Sequence, residues 1–437
     1  MKKNTKKNSE NQKIHADFSA GALTYFSGLK SIHKFIDKLG IRKQLDNISI
    51  DMHHNIIYET GNLLSIIIEG ISCGMNRISK LENFTLDPLL QKLYNLSDKI
   101  SSSTITNRLK RCEMKQCSEY MQVIGNSSQK VHKKLRTAED MLDLDSSVKT
   151  VYGNQQGAVK GFNEKKRGAK SYHPLLGFLN STRECLLSWL RPGDTYTANG
   201  SGEFIKQAFS MLPGSINHLL VRADSGFFSD SMLSEIEQRK NTDYLIKVKL
   251  RNLESVLSGQ DWQEVPGMKD VQICDFEYSP KSWKKSRHFS AVRFLREEIT
   301  DGVIFPVKIW DYFCYCTNIV DNPLQIHKLY GDRGTSENWI ENVKNQMFAG
   351  QLLTNDFWAN EMLWLSSIMA YNISVWMRKL TDLASWHEEP ATFRSWFIQL
   401  AGKIVRTCRQ IHLKMYEAYY YKERWRKIDE AVDMLCF

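Results

Sequence analysis

No C-x-x-C pair occurs in the sequence, so a closed structural zinc site is not written into it. Cys112 and Cys117 stand too far apart for that pattern, and Cys314 and Cys316 are spaced to share one face of a strand. The nine cysteines, an odd number, are expected to be buried reduced thiols of a cytoplasmic protein. Apolar runs long enough to cross a bilayer are also missing. Leu63 to Ile71 is too short and carries Glu69, and Met362 to Met377 is interrupted by Ser366, Ser367, Asn372 and Ser374, which predicts a buried helix. No apolar stretch follows the basic opening MKKNTKKNSENQK, which argues against a secretory signal and predicts a disordered arm able to touch DNA. Beyond that arm the sequence shows neither an internal repeat nor a low-complexity segment.

What remains is the composition of a folded protein, 42% hydrophobic and 11% aromatic over 437 residues, long enough for two or three units. The net charge is +10. A basic globular chain suits a polyanionic partner, nucleic acid or an acidic membrane surface.

Residues 18–120 are predicted to be mostly helical. Leu29, Ile32, Phe35, Ile36 and Leu39 recur at helical spacing, with Gly40 as the stop. Another helix is expected from Tyr58 to Ile71. Ser101 to Arg111 resembles the second helix of a helix-turn-helix, presenting Thr104, Asn107, Arg108 and Lys110, although any basic surface helix has the same pattern. From 139 the texture changes. Strands are predicted at Met141–Asp145, Thr150–Tyr152, Leu175–Leu179 and Cys185–Leu190, with the early ones joined by short connections. A helix near Glu203–Leu212, a strand at His218–Arg222, a helix near Ser229–Arg239 and a strand at Tyr244–Val248 complete β-β-β-α-β-α-β, an α/β order that matches a ribonuclease-H-like fold. Residues 250–325 alternate like strands and read as a β-rich insertion. From Ser336 the chain is predicted to be helical almost to its end.

Asp145 and Asp224 each close a predicted strand, where ligands of open α/β sheets collect. Hard divalent ions such as Mg²⁺ take oxygen ligands, and a pair of them about 3.5–4 Å apart can clamp the attacking and leaving oxygens of a phosphodiester. That chemistry needs a third carboxylate. Tyr330, Arg333, Glu337 and Lys344 fall within roughly 60° of one direction on a helix, although Gly334 suggests that the helix begins only near Ser336. Glu341 falls on the same face, so periodicity does not choose between Glu337 and Glu341. A lone Asp after a strand is usually a turn or cap residue, and a charged helix face is usually an ion-paired surface. It is the joint order of these features, in a basic chain, that points to chemistry.

The spacing Tyr330, Arg333, Glu337, Lys344 reproduces the Y-(2)-R-(3)-E-(6)-K signature, and the chain thereby resembles a large group of bacterial insertion-sequence DDE transposases, the DDE-group-1 branch. The resemblance extends to LDLDSSVKTVYGNQQGAVKGFNEKKRGAKSYHPLLGF (Leu142–Phe178), to VRADSGFF (Val221–Phe228) and to FSAGALTYFSGLKSIHKFIDKLGI near the start, covering roughly residues 15–380. It implies that Asp145, Asp224 and Glu337 bind two Mg²⁺ ions, with Mn²⁺ able to substitute. It implies that Tyr330, Arg333 and Lys344 grip the element's end, and that a freed 3′-OH attacks target DNA. Terminal inverted repeats and target DNA would be the partners, a homodimer on paired ends the assembly, and the bacterial cytoplasm, at the nucleoid, the location. In relatives that pass through a hairpin the β insertion can supply a Trp for a flipped base; Trp283 and Trp310 are candidates here, a core role being favoured for Trp310. The basic loop Lys165-Lys166-Arg167, with Lys160 and Lys170, is expected on the DNA backbone, and His173 is expected to be structural.

On this reading the chain divides into a basic arm (1–17), a helical end-binding region (18–125), the first part of the core (135–249), the β-rich insertion (250–325), the second part of the core with Glu337 (326–380) and a helical C-terminal region (381–437). Two other readings stay open: a nuclease on the same fold without strand transfer, and a non-catalytic DNA-binding protein derived from a transposase. Tyr416, Tyr419, Tyr420 and Tyr421 superficially allow a tyrosine recombinase, but in a helical stretch beside Lys422, Arg424 and Arg426 a surface role fits better.

Overall fold

The computed structural model describes residues 14–51, 57–163, 166–298, 306–351 and 353–437; most of the basic arm, and Lys165, lie outside them. A two-residue strand, β1 (Leu23–Thr24), precedes α1 (Leu29–Leu39), α2 (Ile41–Asp46), α3 (Thr60–Cys73), α4 (Ile78–Phe84), α5 (Pro88–Tyr94), α6 (Ser102–Leu109) and α7 (Met114–Leu135). Their ends have local causes. Gly40 stops α1 in the left-handed conformation at φ 69°. Asp87 accepts from the Leu89 and Leu90 N–H groups to start α5, and Ser101 accepts from the Thr104 N–H to start α6.

The α/β part begins with β2 (Glu139–Ser146) and a small sheet made by β3 (Lys149–Thr150), β4 (Val159–Lys160) and β5 (Lys170–Tyr172) in the order β3-β5-β4. Then follow β6 (Leu175–Leu179), β7 (Glu184–Trp189), α8 (Ser201–Met211), β8 (His218–Ala223), α9 (Asp230–Gln238) and β9 (Thr242–Lys247). In the main sheet β6 pairs antiparallel with both β2 and β7, while β2, β8 and β9 run parallel. The helices α8 and α9 make the crossovers that parallel pairing requires. The short connections expected among the early strands are thus corrected in one place: residues 147–174, between β2 and β6, build the small sheet.

The segment expected as an insertion carries α10 (Leu253–Ser258), β10 (Gln263–Val265), β11 (Met268–Tyr278), β12 (Arg287–Glu298) and β13 (Val307–Thr317). It does not stand apart. β13 pairs antiparallel with β9 at Tyr315↔Lys247, so one nine-stranded sheet runs β10-β11-β12-β13-β9-β8-β2-β6-β7. The chain continues through α11 (Pro323–Gly331), a 3₁₀ turn (Asp332–Gly334), α12 (Thr335–Glu341) and a π turn (Asn342–Gln346). Tyr330 and Arg333 therefore sit in helical backbone, and the lead-in loop suggested by Gly334 is absent: at φ −54° this glycine is right-handed, like any helical residue.

α13 (Phe357–Thr381) is buried almost throughout, as a helix apolar on every side should be. Several of its polar groups find partners inside the core, although the Ser374 hydroxyl has none among the described residues. Ser366 and Ser367 donate to the carbonyls one turn back, and Asn372 both accepts from the Cys185 N–H and donates to the Cys185 carbonyl. One hydrophobic cluster runs from α1 through the sheet and α13 to the last helix. Among the described residues no helix is long and apolar enough to cross a membrane.

The end of the chain departs from the helical expectation. After α14 (Pro390–Phe393) comes a hairpin, β14 (Gly402–Thr407) and β15 (Gln410–Met415), which pairs through β14 with β1; α15 (Lys422–Met434) follows. Ile404, Leu413 and Met415 alternate toward the core, and Cys408 at φ 44° makes the tip. Tyr416, Tyr419, Tyr420 and Tyr421 lie in turns ahead of α15, where Tyr419 donates to the Trp396 carbonyl. Seven cysteines are buried, but Cys408 and Cys436 are exposed, against the expectation for the whole set.

Candidate active site

Strand register brings the two aspartates together. In the parallel β2–β8 pair Asp143 faces Arg222 and Leu144 faces Ala223. The next step places Asp145 abreast of Asp224, on strands roughly 4.8 Å apart. Asp145 accepts from the Ser146 N–H at 2.8 Å, and Asp224 accepts from the Gly226 N–H at 3.0 Å, so each carboxylate is oriented by the turn it opens. Glu337 comes from the first turn of α12. All three line one open cavity of about 1170 Å³, together with Lys160, Lys249, Lys344 and Glu341.

Asp145 is nine-tenths buried, and its carboxyl is pushed up to about 6. Burial is the main cause; the Arg333 guanidinium opposes it, and the nearby Asp224 and Glu337 carboxylates add to it. Arg333 Nη2 stands 3.0 Å from Asp145 Oδ2 and donates to the Leu144 carbonyl at 3.0 Å. Glu341 points to other partners: Lys344 Nζ at 3.5 Å and the Asn345 amide. Among the described residues no group of three or more His, Cys, Asp or Glu side chains stands assembled as a metal site. The donor set nevertheless suits a hard divalent cation, because two facing carboxylates and a third across the cavity leave negative charge that, among the described residues, only Arg333 offsets in direct contact.

Other expected site residues scatter. Lys344 lines the cavity, but Tyr330 and Arg333 stand behind its wall. Tyr330 packs on Tyr315 with ring centroids 4.8 Å apart, and burial lifts its phenol to about 12. Lys166 sits over the Tyr152 ring at 4.6 Å, Lys170 reaches Asn154 at 2.9 Å, and Arg167 is exposed. Arg108 donates to Thr60 Oγ1 and to the Tyr58 carbonyl, so its guanidinium ties α6 to α3; Lys110, at the end of α6, is exposed. His173, expected to be structural, lines the cavity; its Nδ1 meets the Thr195 carbonyl at 2.5 Å, and burial lowers its pKa. Trp283 packs on cavity-lining Phe228 at 4.8 Å. Trp310, for which a core place was favoured, is half-buried; with Trp262 it encloses the Arg293 guanidinium, 4.4 Å from each ring.

Two groups escaped the sequence reading. Arg222, fully buried, makes paired bonds to Asp143 at 2.7 and 2.8 Å and donates to the Leu329 carbonyl at 2.8 Å. The signal was present: each stands two residues before a cavity aspartate, hence on the same strand face. Lys249, just past β9, lines the cavity. Glycines let the small sheet close on the cavity's far wall, since a Cβ on Gly161 would fall 1.8 Å from the Gly193 carbonyl oxygen.

No curated protein matches the chain. A solved structure of piggyBac transposase in a synaptic complex with hairpin DNA is similar at 10% identity and a TM-score of 0.45, covering 85% of this chain and 79% of that one. Over residues 6–435 the sequence matches the family described as Transposase DDE domain group 1, and the chain belongs to that family.

Proposed function

We propose that this protein is a DNA transposase that cuts at the ends of its element and joins the freed 3′-OH to target DNA, with Asp145, Asp224 and Glu337 as the catalytic carboxylates. The observation that carries the reading is their convergence, from β2, β8 and α12, on one cavity rimmed by Lys160, Lys249 and Lys344. The strand order β7-β6-β2-β8-β9, antiparallel then parallel, supports a ribonuclease-H-like core.

The three carboxylates would hold Mg²⁺, with Mn²⁺ as a substitute. When bound, such ions polarise the scissile phosphate and lower the pKa of the attacking water or hydroxyl. The chain's own groups do the rest. Lys160, Lys249 and Lys344 attract and seat the phosphate backbone. Arg222 and Arg333 hold the α11–α12 segment against β2, which fixes Glu337 opposite the aspartates. Double-stranded DNA, as inverted repeats and target, is the partner this site suits, and a dimer on paired ends follows from joining two ends.

The test is cleavage of a labelled duplex carrying the element's own inverted repeat, with Mg²⁺. Wild type is compared with Asp145→Ala, Asp224→Ala and Glu337→Ala. End-specific nicking lost in all three folded variants is expected. A wild type that nicks without ever joining would make the protein a nuclease. Binding with neither nicking nor joining would make it a non-catalytic DNA-binding protein.

A further inference from the structure

The β14–β15 hairpin is basic in a way the cavity does not use. Residues 402–415 contain Lys403, Arg406, Arg409 and Lys414 and no acid. All four are exposed, and among the described residues none has a carboxylate partner. Lys403 lies directly opposite Lys414, and His412 follows on the same outward face, opposite Val405. Like charges facing across strands oppose the pairing that holds them. On the other face Ile404, Leu413 and Met415 pack on the core. The hairpin is thus anchored through Ile404, Leu413 and Met415 and presents Lys403, Lys414 and His412 on the opposite face, with exposed Arg409 at the tip and exposed Arg406 next to the tip on the Ile404 face.

Its base is tied to the cavity wall. Gly28 donates to the Ile398 carbonyl and Ser27 to the Leu400 carbonyl just before β14, while Arg394 reaches the Gln346 carbonyl, two residues past cavity-lining Lys344. A two-stranded ribbon is also of a width that the major groove of duplex DNA admits.

We propose that this hairpin is a separate DNA-contact surface, gripping the phosphates of duplex lying outside the catalytic cavity. The proposal rests on the DNA reading above, and it commits to double-stranded DNA. Its contacts would position the duplex and carry no base sequence.

The experiment is fluorescence anisotropy of a labelled duplex with the full chain over a range of salt, without divalent metal. Replacing Lys403, Arg406, Arg409 and Lys414 together by Ala should weaken binding at least tenfold and flatten the slope of log K against log salt by roughly 3–4. Exchanging each Lys for Arg and each Arg for Lys should keep the wild-type slope. Because these side chains are exposed, the melting temperature should hold. A second measurement needs no weakened variant: Cys436→Ser leaves Cys408, at the hairpin tip, as the one exposed thiol among the described residues. A photo-crosslinker placed there should capture duplex DNA. Unchanged affinity and slope, or no crosslink, in a chain that binds duplex overturns the hairpin proposal alone. Tighter capture of single-stranded RNA than of duplex at the tip overturns it as well. A wild type that binds no duplex overturns both this proposal and the DNA reading.

Discussion

Arg222 grips Asp143 through two parallel N–H···O bonds, on the strand pair that carries Asp224 and Asp145 two residues further on. Both partners are fully buried, and an Nη1 N–H of the same guanidinium holds the Leu329 carbonyl. One side chain thereby joins β2, β8 and α11 directly beneath the carboxylates.

Removing one partner should therefore cost more than removing both. Arg222→Met alone leaves Asp143 charged and dry, for a loss of about 3–5 kcal/mol. The double change Asp143→Leu with Arg222→Met should recover most of that in urea unfolding. End cleavage should stay impaired in the double variant, because the Leu329 carbonyl then loses its hydrogen bond to the sheet. Full cleavage by a restored, stable double variant would show that Arg222 has no positioning role.

Glu337 and Glu341 should separate in kinetics. Glu337→Gln is expected to reduce cleavage by on the order of 10²–10³-fold, the scale of losing one electrostatic group at the reaction centre. Glu341→Gln should cost tenfold or less, since Glu341 turns to Lys344 and Asn345. Single-turnover assays at saturating Mg²⁺ give the comparison; the reverse order would move the third carboxylate to Glu341.

Glu361, on α13, offers a pH signature far from any phosphate. It is buried, and burial pushes its carboxyl up to about 8 from 4.5. The folded chain thus holds a proton that the unfolded chain releases above about pH 4.5. Stability from this group is fully present below that pH and is lost as pH rises toward 8. Glu361→Gln should remove this component and stabilise the protein by about 3 kcal/mol at pH 7. Chemical denaturation at pH 5, 7 and 9 measures it; parallel pH curves for the two proteins would refute it.

The cavity's far wall depends on backbone contact. A Cβ on Gly161 would meet the Gly193 carbonyl oxygen at 1.8 Å, and one on Gly193 would meet the Ser171 carbonyl oxygen at 2.2 Å. Neither contact can relax by turning a side chain. Gly161→Ala or Gly193→Ala should each cost about 1–3 kcal/mol and lower cleavage by moving Lys160 and Thr195. Gly267→Ala, at a turn where the new Cβ meets nothing, is the control: it strains its positive φ but should leave cleavage intact.

Much of the frame was legible in one dimension because its causes are local. Gly40 ended α1, Ser101 capped α6, and short apolar runs marked the strand that carries Asp145 and the strand that leads into Asp224. The run Met362–Met377 was rightly a buried helix, since Ser366, Ser367 and Asn372 had partners to find in the core. Asp145 and Asp224 were expected at strand ends and Glu337 on a helix, and all three line the cavity.

What stayed hidden depends on partners distant in the chain. Periodicity put Glu337 and Glu341 on one face; only the packing of the α11–α12 segment on β2 turned Glu337 toward Asp145 and Glu341 toward Lys344. Arg108 read as a DNA contact until the fold gave its guanidinium to Thr60 and Tyr58, about fifty residues away. The β14–β15 hairpin read as helix because its apolar residues gain a strand's environment only when β1, some 380 positions earlier, supplies the pairing edge. The sequence by itself determined where elements start, stop and carry charge, since those are properties of neighbours along the chain. Which of those charges meet was decided by the tertiary structure, because burial and strand register set the partners.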